Sequence, residues 1–404
     1  MEKLLTGTLV AIIMITGLGG CASTGDIAAS QNLLQDALAR EATLTESYSV
    51  TAEDRFFSAT VSGSDRPTIT SHEDFYQLSV PIASEIAAEC FVYTDALDSA
   101  ATLKSMLGEL LAGFSKTGIL QIDAGTFDQL PYVYQESLYI TEQGAAGVLK
   151  GIVVPVGMST LACLHDEPGY RETFRQMVGG LAGSLRIDSA APENWKFQEI
   201  LVWRLRDLKV GFTVNSIGET DDGEIKSVVE TAVIIPRTAE ETITHDGYDV
   251  ILEKESGELV AGKYAEATSG ELTLSINLEQ IPEGGYRVSG QFQGKEIDSR
   301  LDSATDPVGP YHQLLELVRA AYPDGGKPRP LSIDVYIPSA SPLQTIAVEA
   351  KPTGQQIGGL PEYAMLFGGM KATSVIDDLG QHAVTLQMGP LELQLNREYV
   401  NGQI

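Results

Sequence analysis

Most of the chain alternates apolar and polar residues with a period of two, the pattern of half-buried β-strands. The candidate strands are residues 55–61, 74–80, 88–93, 131–140, 147–155 and 159–164. Two segments instead repeat apolar residues at i, i+3, i+4 and i+7, the spacing of one helix face: Leu103 to Phe114 and Tyr170 to Leu185. The order strands, helix, strands, helix predicts an α+β domain over residues 45–187, in which an antiparallel sheet packs with two helices.

The second half of the chain is almost entirely strand-like. Residues 201–206 alternate apolar side chains with two arginines, and Asp-Gly and Gly-Gly pairs recur between alternating runs, as they do in hairpins. One helical stripe interrupts them between Tyr311 and Tyr322. We therefore expect residues 195–404 to form a β-rich domain of twisted antiparallel hairpins with one crossing helix. The polar segment 188–194, which contains a proline, is predicted to be the linker.

The N-terminus has a pattern of its own. Leu4 to Leu18 is an uncharged apolar run of 15 residues, shorter than the roughly 20 that a bilayer-spanning helix needs, and it fits the core of a secretory signal peptide. It ends in Leu-Gly-Gly-Cys21, which resembles the lipobox of bacterial lipoproteins. That resemblance implies removal of residues 1–20 and transfer of a diacylglycerol to the Cys21 thiol. The alternatives are an ordinary signal peptide with a chance cysteine, or a buried apolar N-terminus.

The residues that follow Cys21 bear on location. In Gram-negative lipoproteins an aspartate after the cysteine commonly means retention in the inner membrane, whereas this chain has Ala22 and Ser23. The resemblance therefore implies the outer membrane, with the protein facing the periplasm. The inner membrane and the cell surface are the alternatives. Residues 21–44, alanine-rich and mildly helical, are predicted to be a tether or a short helix packed on the first domain.

Two cysteines remain after the predicted anchor, Cys90 and Cys163. An even number in an exported chain indicates a disulfide, and both residues lie in apolar segments that are expected to be buried strands. Closing this loop would stabilise the fold by about 4 kcal/mol in the chain-entropy model. Two separate buried thiols are the alternative. No Cys-x-x-Cys pair is present, so redox catalysis is not indicated.

Two family resemblances follow from this layout. The turn from Cys163 to Tyr170, followed by the helix from Phe174 to Leu185, makes residues 45–190 similar to the PsbP-like fold. Members of that fold mostly bind or assemble with partners and share no catalytic site. The C-terminal sheet with one helix against its apolar face faintly resembles the half-barrels of periplasmic lipoprotein carriers, which implies a hydrophobic ligand.

Composition narrows the possible partners. The chain has 404 residues, 43% of them hydrophobic, and a net charge of −28. Such a hydrophobic share is ordinary for a folded protein, and the length favours two domains. Strong acidity disfavours nucleic acid, which requires a basic face, and electrostatic docking on anionic lipid. The expected partners are the membrane, through Cys21, and an envelope protein or a hydrophobic ligand.

The sequence contains little that indicates catalysis. The nucleophile elbow, the Walker lysine motif and the dinucleotide glycine motif are absent, and no two histidines have the spacing of a zinc helix. The acid cluster from Glu219 to Glu224 departs from a calcium loop and is interpreted as a hairpin. The sequence thus indicates no catalytic residue, no metal ligand and no cofactor.

These observations favour a non-catalytic envelope lipoprotein, a two-domain binding or assembly module at the outer membrane. One alternative is a carrier of a hydrophobic molecule, which predicts a pocket of several hundred Å³ between the C-terminal sheet and its helix. The other is a periplasmic hydrolase, which predicts that His165, His245 and His382 converge on one cleft with serine and carboxylate groups.

Overall fold

A computed structural model describes residues 36–54, 56–114, 116–187, 195–302, 306–324, 326–388 and 391–404. The predicted signal peptide, Cys21, residues 22–35 of the predicted tether and the linker 188–194 lie outside these residues. What the sequence indicates about them stays a prediction.

In its described part, the first half of the chain forms ten strands and two helices of full length. Within the described residues they are β1 (Glu46–Thr51), β2 (Phe57–Gly63), β3 (Thr68–Ser71), β4 (Phe75–Ala83), β5 (Ile86–Tyr93), α1 (Ser99–Leu111), β6 (Lys116–Phe127), β7 (Leu130–Ile140), β8 (Ala146–Val156), β9 (Ser159–His165), α2 (Arg171–Ser184) and β10 (Arg186–Ile187).

The described residues of the second half form fourteen strands and one helix. In the part that the structure describes they are β11 (Trp195–Leu205), β12 (Leu208–Glu219), β13 (Ile225–Pro236), β14 (Thr242–Glu253), β15 (Leu259–Thr268), β16 (Glu271–Gln280), β17 (Tyr286–Phe292), β18 (Lys295–Arg300), α3 (Pro310–Ala321), β19 (Leu331–Val335), β20 (Ile346–Ile357), β21 (Leu360–Phe367), β22 (Met370–Asp377), β23 (Gly380–Met388) and β24 (Leu391–Gly402).

These strands form three antiparallel sheets. The smallest pairs β2 with β1 and β10, and a seven-stranded sheet has the order β3-β4-β5-β9-β8-β7-β6. The largest has fourteen strands. It runs as two meanders, β11 to β18 and β19 to β24, joined where β11 pairs with β24. Because the first and last strands of this region are neighbours, residues almost 200 positions apart share one sheet face.

The predicted α+β class is wrong. Strands make up 61% of the chain and helices 12%, so this is a large β-rich fold and not an N-terminal sheet packed with helices. Part of the error lies at the edges of the sheets, where some strands were not predicted. Strands β1, β3 and β6 were not predicted, and each is the outermost strand of its sheet. Edge strands bury few side chains, so their period-two signal is weak.

The three helices themselves lie where the apolar stripes predicted them. Leu103 and Leu107 of α1 are buried on β8, and Gly151 permits that contact, since a Cβ there would lie 2.5 Å from Leu103 Cδ1. In the second half, Leu317 and Ala321 of α3 pack with Ala350, Tyr363 and Ile376 of the fourteen-stranded sheet. Burying each large apolar side chain contributes about 1.5–3 kcal/mol.

The described residues divide into two compact units. The first comprises residues 36–123, 132–187 and 234–243, and the second comprises 124–131, 195–233 and 244–404. Each unit buries its own charged side chains, and these are the groups from which a site can be built.

Candidate functional site

Helix α3 forms one wall of a cavity in the second unit. It begins at Pro310, which follows Gly309, and its free N-terminal amides meet a buried carboxylate: Tyr311 N donates to Glu253 Oε1 over 2.9 Å. Gly309 leaves room for that carboxylate, because a Cβ at this position would lie 1.7 Å from Glu253 Oε2. Burial raises the pKa of Glu253 to about 7. A single acidic group thus fixes where the helix enters the interior.

The cavity lies between α3 and the fourteen-stranded sheet and has a volume of about 170 Å³. Its apolar lining comes from both sides: Pro310, Leu314 and Leu317 of the helix, and Ile217, Val228, Val229, Leu331, Ile333, Val348, Ala350 and Met365 of the sheet. Its polar lining is Glu199, Asn215, Ser216, Ser227, Gln313 and Gln381. The cavity is therefore amphipathic: most of its lining is apolar, and its polar lining consists of one acid and several neutral hydrogen-bonding side chains.

That acid belongs to a buried ionic network. Glu199 Oε2 accepts from Arg397 Nε over 2.9 Å, and its Oε1 accepts from Asn215 Nδ2 over 2.8 Å. Arg397 Nη1 also donates to Asp377 Oδ2 over 2.7 Å. The side chains of Glu199 and Arg397 are only 2% and 4% exposed. Burial raises the pKa of Glu199, an effect that Asn215 and Arg397 oppose. One arginine is thus shared between two carboxylates.

One lining group has no partner. Ser227 of β13 is buried, and its hydroxyl makes no hydrogen bond within the described residues. Buried polar side chains nearly always find a partner, and leaving one unpaired costs about 1–3 kcal/mol. A hydroxyl can both donate and accept, so Ser227 is suited to meet a polar atom of a molecule that occupies the cavity.

These residues were not predicted as site residues, although the sequence contains a signal for two of them. Glu199 continues by period two the apolar face of Leu201 and Trp203, and Arg397 likewise follows Leu393 and Leu395. A charge that falls on the apolar face of a strand must be paired or functional. What was missing is that β11 and β24 are neighbours, which brings the two charges together.

The first unit contains a separate buried polar cluster. Glu136 Oε2 accepts from Arg171 Nε and Nη2 at 2.7 and 2.6 Å and from the Tyr134 hydroxyl at 3.1 Å. Lys150 is fully buried, donates to the backbone carbonyl of Glu167, and has a pKa that burial lowers to about 8. Apart from Glu136 Oε1, which is buried without a hydrogen bond among the described residues, these groups are partnered by the protein itself, which favours a structural role.

The described end of the predicted tether contacts the same unit. Glu41 accepts from the amides of Glu172 and Thr173 at 3.0 and 2.8 Å, at the N-terminus of α2. Burial tends to raise the pKa of Glu41, but the hydrogen bonds from Thr173 and Glu172 lower it below its usual value. Residues near Glu41 are therefore fastened to the first unit as an N-terminal helix cap.

Cys90 and Cys163 form the predicted disulfide. They are direct partners across β5 and β9 of the seven-stranded sheet, and both are buried. The bridge therefore joins two adjacent strands whose sequence separation is 73 residues.

The histidines proposed for a hydrolase have different surroundings. His165 is buried in the first unit, where it stacks on Phe174, and burial lowers its pKa to about 4. His382 belongs to the second unit, is half exposed, and lies 3.6 Å from Asp377. His245 lies on β14. Each of these contacts of His165 and His382 is with a residue of its own unit, and none of them involves another of the three histidines.

The described residues show neither a metal cluster nor a membrane-spanning helix. No group of three or more His, Cys, Asp or Glu side chains has an arrangement that would hold a metal ion. The acid cluster at Glu219 forms a hairpin end, in which Gly223 has a φ of 80° and Glu219 pairs with Lys196. Among the described helices, none is long and apolar enough to cross a bilayer.

Comparisons with known proteins give weak resemblances of fold. No family model and no curated protein matches the chain. Among solved structures, a β-barrel-like protein of the domain of unknown function DUF1849 from Brucella abortus is 12% identical, with a TM-score of 0.40, over 52% of this chain and 99% of that one. A PsbP from Synechocystis sp. PCC 6803 is 10% identical, with a TM-score of 0.26, over 42% and 98% of the two chains. Such low scores carry no conclusion about function.

Proposed function

We propose that this chain is a non-catalytic, lipid-anchored binding module of the bacterial envelope, and that its fourteen-stranded domain holds a small ligand beneath α3. The observation that carries this proposal is the cavity of about 170 Å³ with the unpaired, buried Ser227 hydroxyl among its lining groups. An engineered apolar cavity of about 150 Å³ is sufficient to bind benzene. The hydrophobic-carrier alternative is disfavoured by the volume, because a lipid carrier needs several hundred Å³.

Occupancy of the cavity is tested by filling it. Ala350 is buried and lines the cavity, so Ala350→Leu places three further carbon atoms in the space that a ligand would use. Organic extracts of the chain purified from bacterial envelopes are compared by mass spectrometry between wild type and variant, with Ala350→Val as an intermediate. We expect a small molecule in the wild-type extract that decreases through the series. Identical extracts from three cooperatively folding proteins overturn the binding proposal.

The anchor is tested separately. The sequence Leu-Gly-Gly-Cys21 supports lipidation, and Ala22 with Ser23 supports the outer membrane as the destination. In cells fed an alkyne-bearing fatty acid, we expect wild type to be labelled and Cys21→Ser to be unlabelled. Ala22→Asp, which keeps Cys21, should stay labelled and move to the inner-membrane fraction. Labelling of Cys21→Ser, or the same fractionation for all three chains, contradicts this part of the proposal.

A further inference from the structure

We propose that the cavity beneath α3 binds a small neutral amphiphile: a compact apolar group of about six carbon atoms that carries one hydroxyl or amide. This inference rests on the proposed binding function and names the chemical class of the ligand. It derives from three features of the cavity, namely its size, the charge balance of its polar wall and its unpaired hydroxyl.

Size and lining define the apolar part. A six-membered ring with one substituent fits a space of about 170 Å³, given that benzene occupies a cavity of about 150 Å³ elsewhere. The walls that would receive the ring are aliphatic, with Leu314 and Leu317 on the helix side and Val348 and Met365 on the sheet side. A longer acyl chain would exceed a space of about 170 Å³.

The polar wall disfavours an anionic head group. Among the described residues that line the cavity, none is Lys, Arg or His. The nearby Arg397 binds Glu199 at 2.9 Å and Asp377 at 2.7 Å; its Nη2 is buried without a partner among the described residues, but Arg397 does not belong to the cavity lining. Two carboxylates already share this one guanidinium, so a third anion would add negative charge to a buried network that lacks a further cation to balance it. Burying an unpaired charge is costly.

A cationic head group is disfavoured for a related reason. Glu199 is the acid that lines the cavity, and both of its oxygens already accept hydrogen bonds, from Asn215 and from Arg397. An ammonium would therefore lose its hydration without gaining a free carboxylate. The other polar groups of the lining are neutral, and among the described lining residues Ser227 is the one whose buried polar atom has no hydrogen-bond partner.

Four compounds with the same six-membered ring test whether the cavity prefers a neutral head group: cyclohexanol, cyclohexanecarboxylate, cyclohexylamine and cyclohexane. The reporter is the Met365 methyl group, which lines the cavity, in full chain labelled with ¹³C at the methionine methyls and held in lipid nanodiscs. Met177, buried in α2 of the first unit, is the control methyl. We expect cyclohexanol to shift the Met365 methyl signal saturably, with a dissociation constant at least tenfold lower than that of the carboxylate or the amine. The Met177 signal should stay unchanged.

The hydroxyl contact is tested by Ser227→Ala, matched with Ser374→Ala, which removes another buried serine of the same sheet outside the cavity lining. Ser227→Ala should weaken cyclohexanol about tenfold, the ratio that one hydrogen bond is worth, and leave cyclohexane unchanged. Ser374→Ala should alter neither. Tighter binding of the carboxylate or the amine, or an unchanged cyclohexanol affinity in Ser227→Ala, overturns the inference and leaves the binding function standing. If none of the four compounds moves Met365, the binding function itself fails.

Discussion

The two compact units both bury charged side chains, but the surroundings of those charges differ. In the first unit Glu136 is held by Arg171 and the Tyr134 hydroxyl, and Lys150 donates to a backbone carbonyl. In the second unit Glu199 and Arg397 form a network whose acid borders a cavity. A buried charge surrounded by protein partners specifies packing, whereas the acid of the second unit lies beside a cavity that also contains the unpaired Ser227 hydroxyl, the feature on which the proposed ligand site rests.

The units also differ in how their strands are tied. Cys90 and Cys163 link adjacent strands of the seven-stranded sheet covalently. The junction of β11 and β24 in the fourteen-stranded sheet is held by hydrogen bonds and by the Glu199–Arg397 pair. The first unit therefore has a covalent link between adjacent strands, whereas the second has an ion pair whose acid lines the cavity.

The largest expected effect tests the covalent link. Replacing both Cys90 and Cys163 by alanine should lower the free energy of unfolding by about 4 kcal/mol, because a loop that closes over 73 residues is released in the unfolded chain. Urea unfolding of the variant and the oxidised wild type measures this. Wild type under reducing conditions is the control and should approach the variant. A loss below about 1 kcal/mol would show that strand pairing alone holds this sheet.

The next effect compares the two ionic clusters directly. Arg397→Leu should destabilise by about 3 kcal/mol, since Glu199 is left buried without its cation. Arg171→Leu should cost only about 1 kcal/mol, because Arg171 is 44% exposed and Glu136 keeps the Tyr134 hydroxyl and the nearby Lys150 charge. Denaturant midpoints of both variants provide the measurement. The reverse order would mean that the first unit contains the more demanding network.

A smaller effect is pH-dependent and concerns α3. The pKa of Glu253 is raised from 4.5 to about 7 by burial, so the folded state keeps a proton that the unfolded chain has released between those values. This contribution to stability is complete below about pH 4.5 and is lost as the pH rises through about 7. Between about pH 5 and pH 8, wild type should lose on the order of 2 kcal/mol more than Glu253→Gln.

The control for this titration is His312, whose Nδ1 lies 3.6 Å from Glu253 Oε2. Glu253→Gln with and without His312→Gln separates the contributions of the two side chains to the pH dependence. If Glu253→Gln retains the full wild-type pH dependence, another group is responsible.

The smallest effect distinguishes a ligand site from an ordinary core. Ser227→Ala should not lower the free energy of unfolding in the absence of ligand and should raise it by about 1 kcal/mol, because it removes a buried hydroxyl that has no protein partner. Thermal unfolding of the ligand-free chain measures this. A loss of about 2 kcal/mol or more would mean that Ser227 has a structural partner and that its unpaired state does not mark a site.

Much of the local structure was predictable from the sequence. The stripes that begin at Leu103, Tyr170 and Tyr311 predicted the three helices, since helical periodicity is read from neighbouring residues alone. The fold class was wrong because half-exposed edge strands such as β3 and β6 carry little periodic signal. The candidate site was missed because alternation along a strand gives the face of a residue but not its neighbours.

The sequence by itself determined the helices, the strand-rich second half and the pairing of Cys90 with Cys163, all of which follow from local periodicity or from the count of two cysteines. Only the tertiary structure decided where the site lies. Glu199 meets Arg397 across 198 positions of the chain, because β11 and β24 are neighbours in the sheet. The cavity exists because α3 packs on that sheet without filling the space beside Ser227. Such long-range contacts depend on strand order and side-chain volume together, and neither is recorded in the alternation of a single strand.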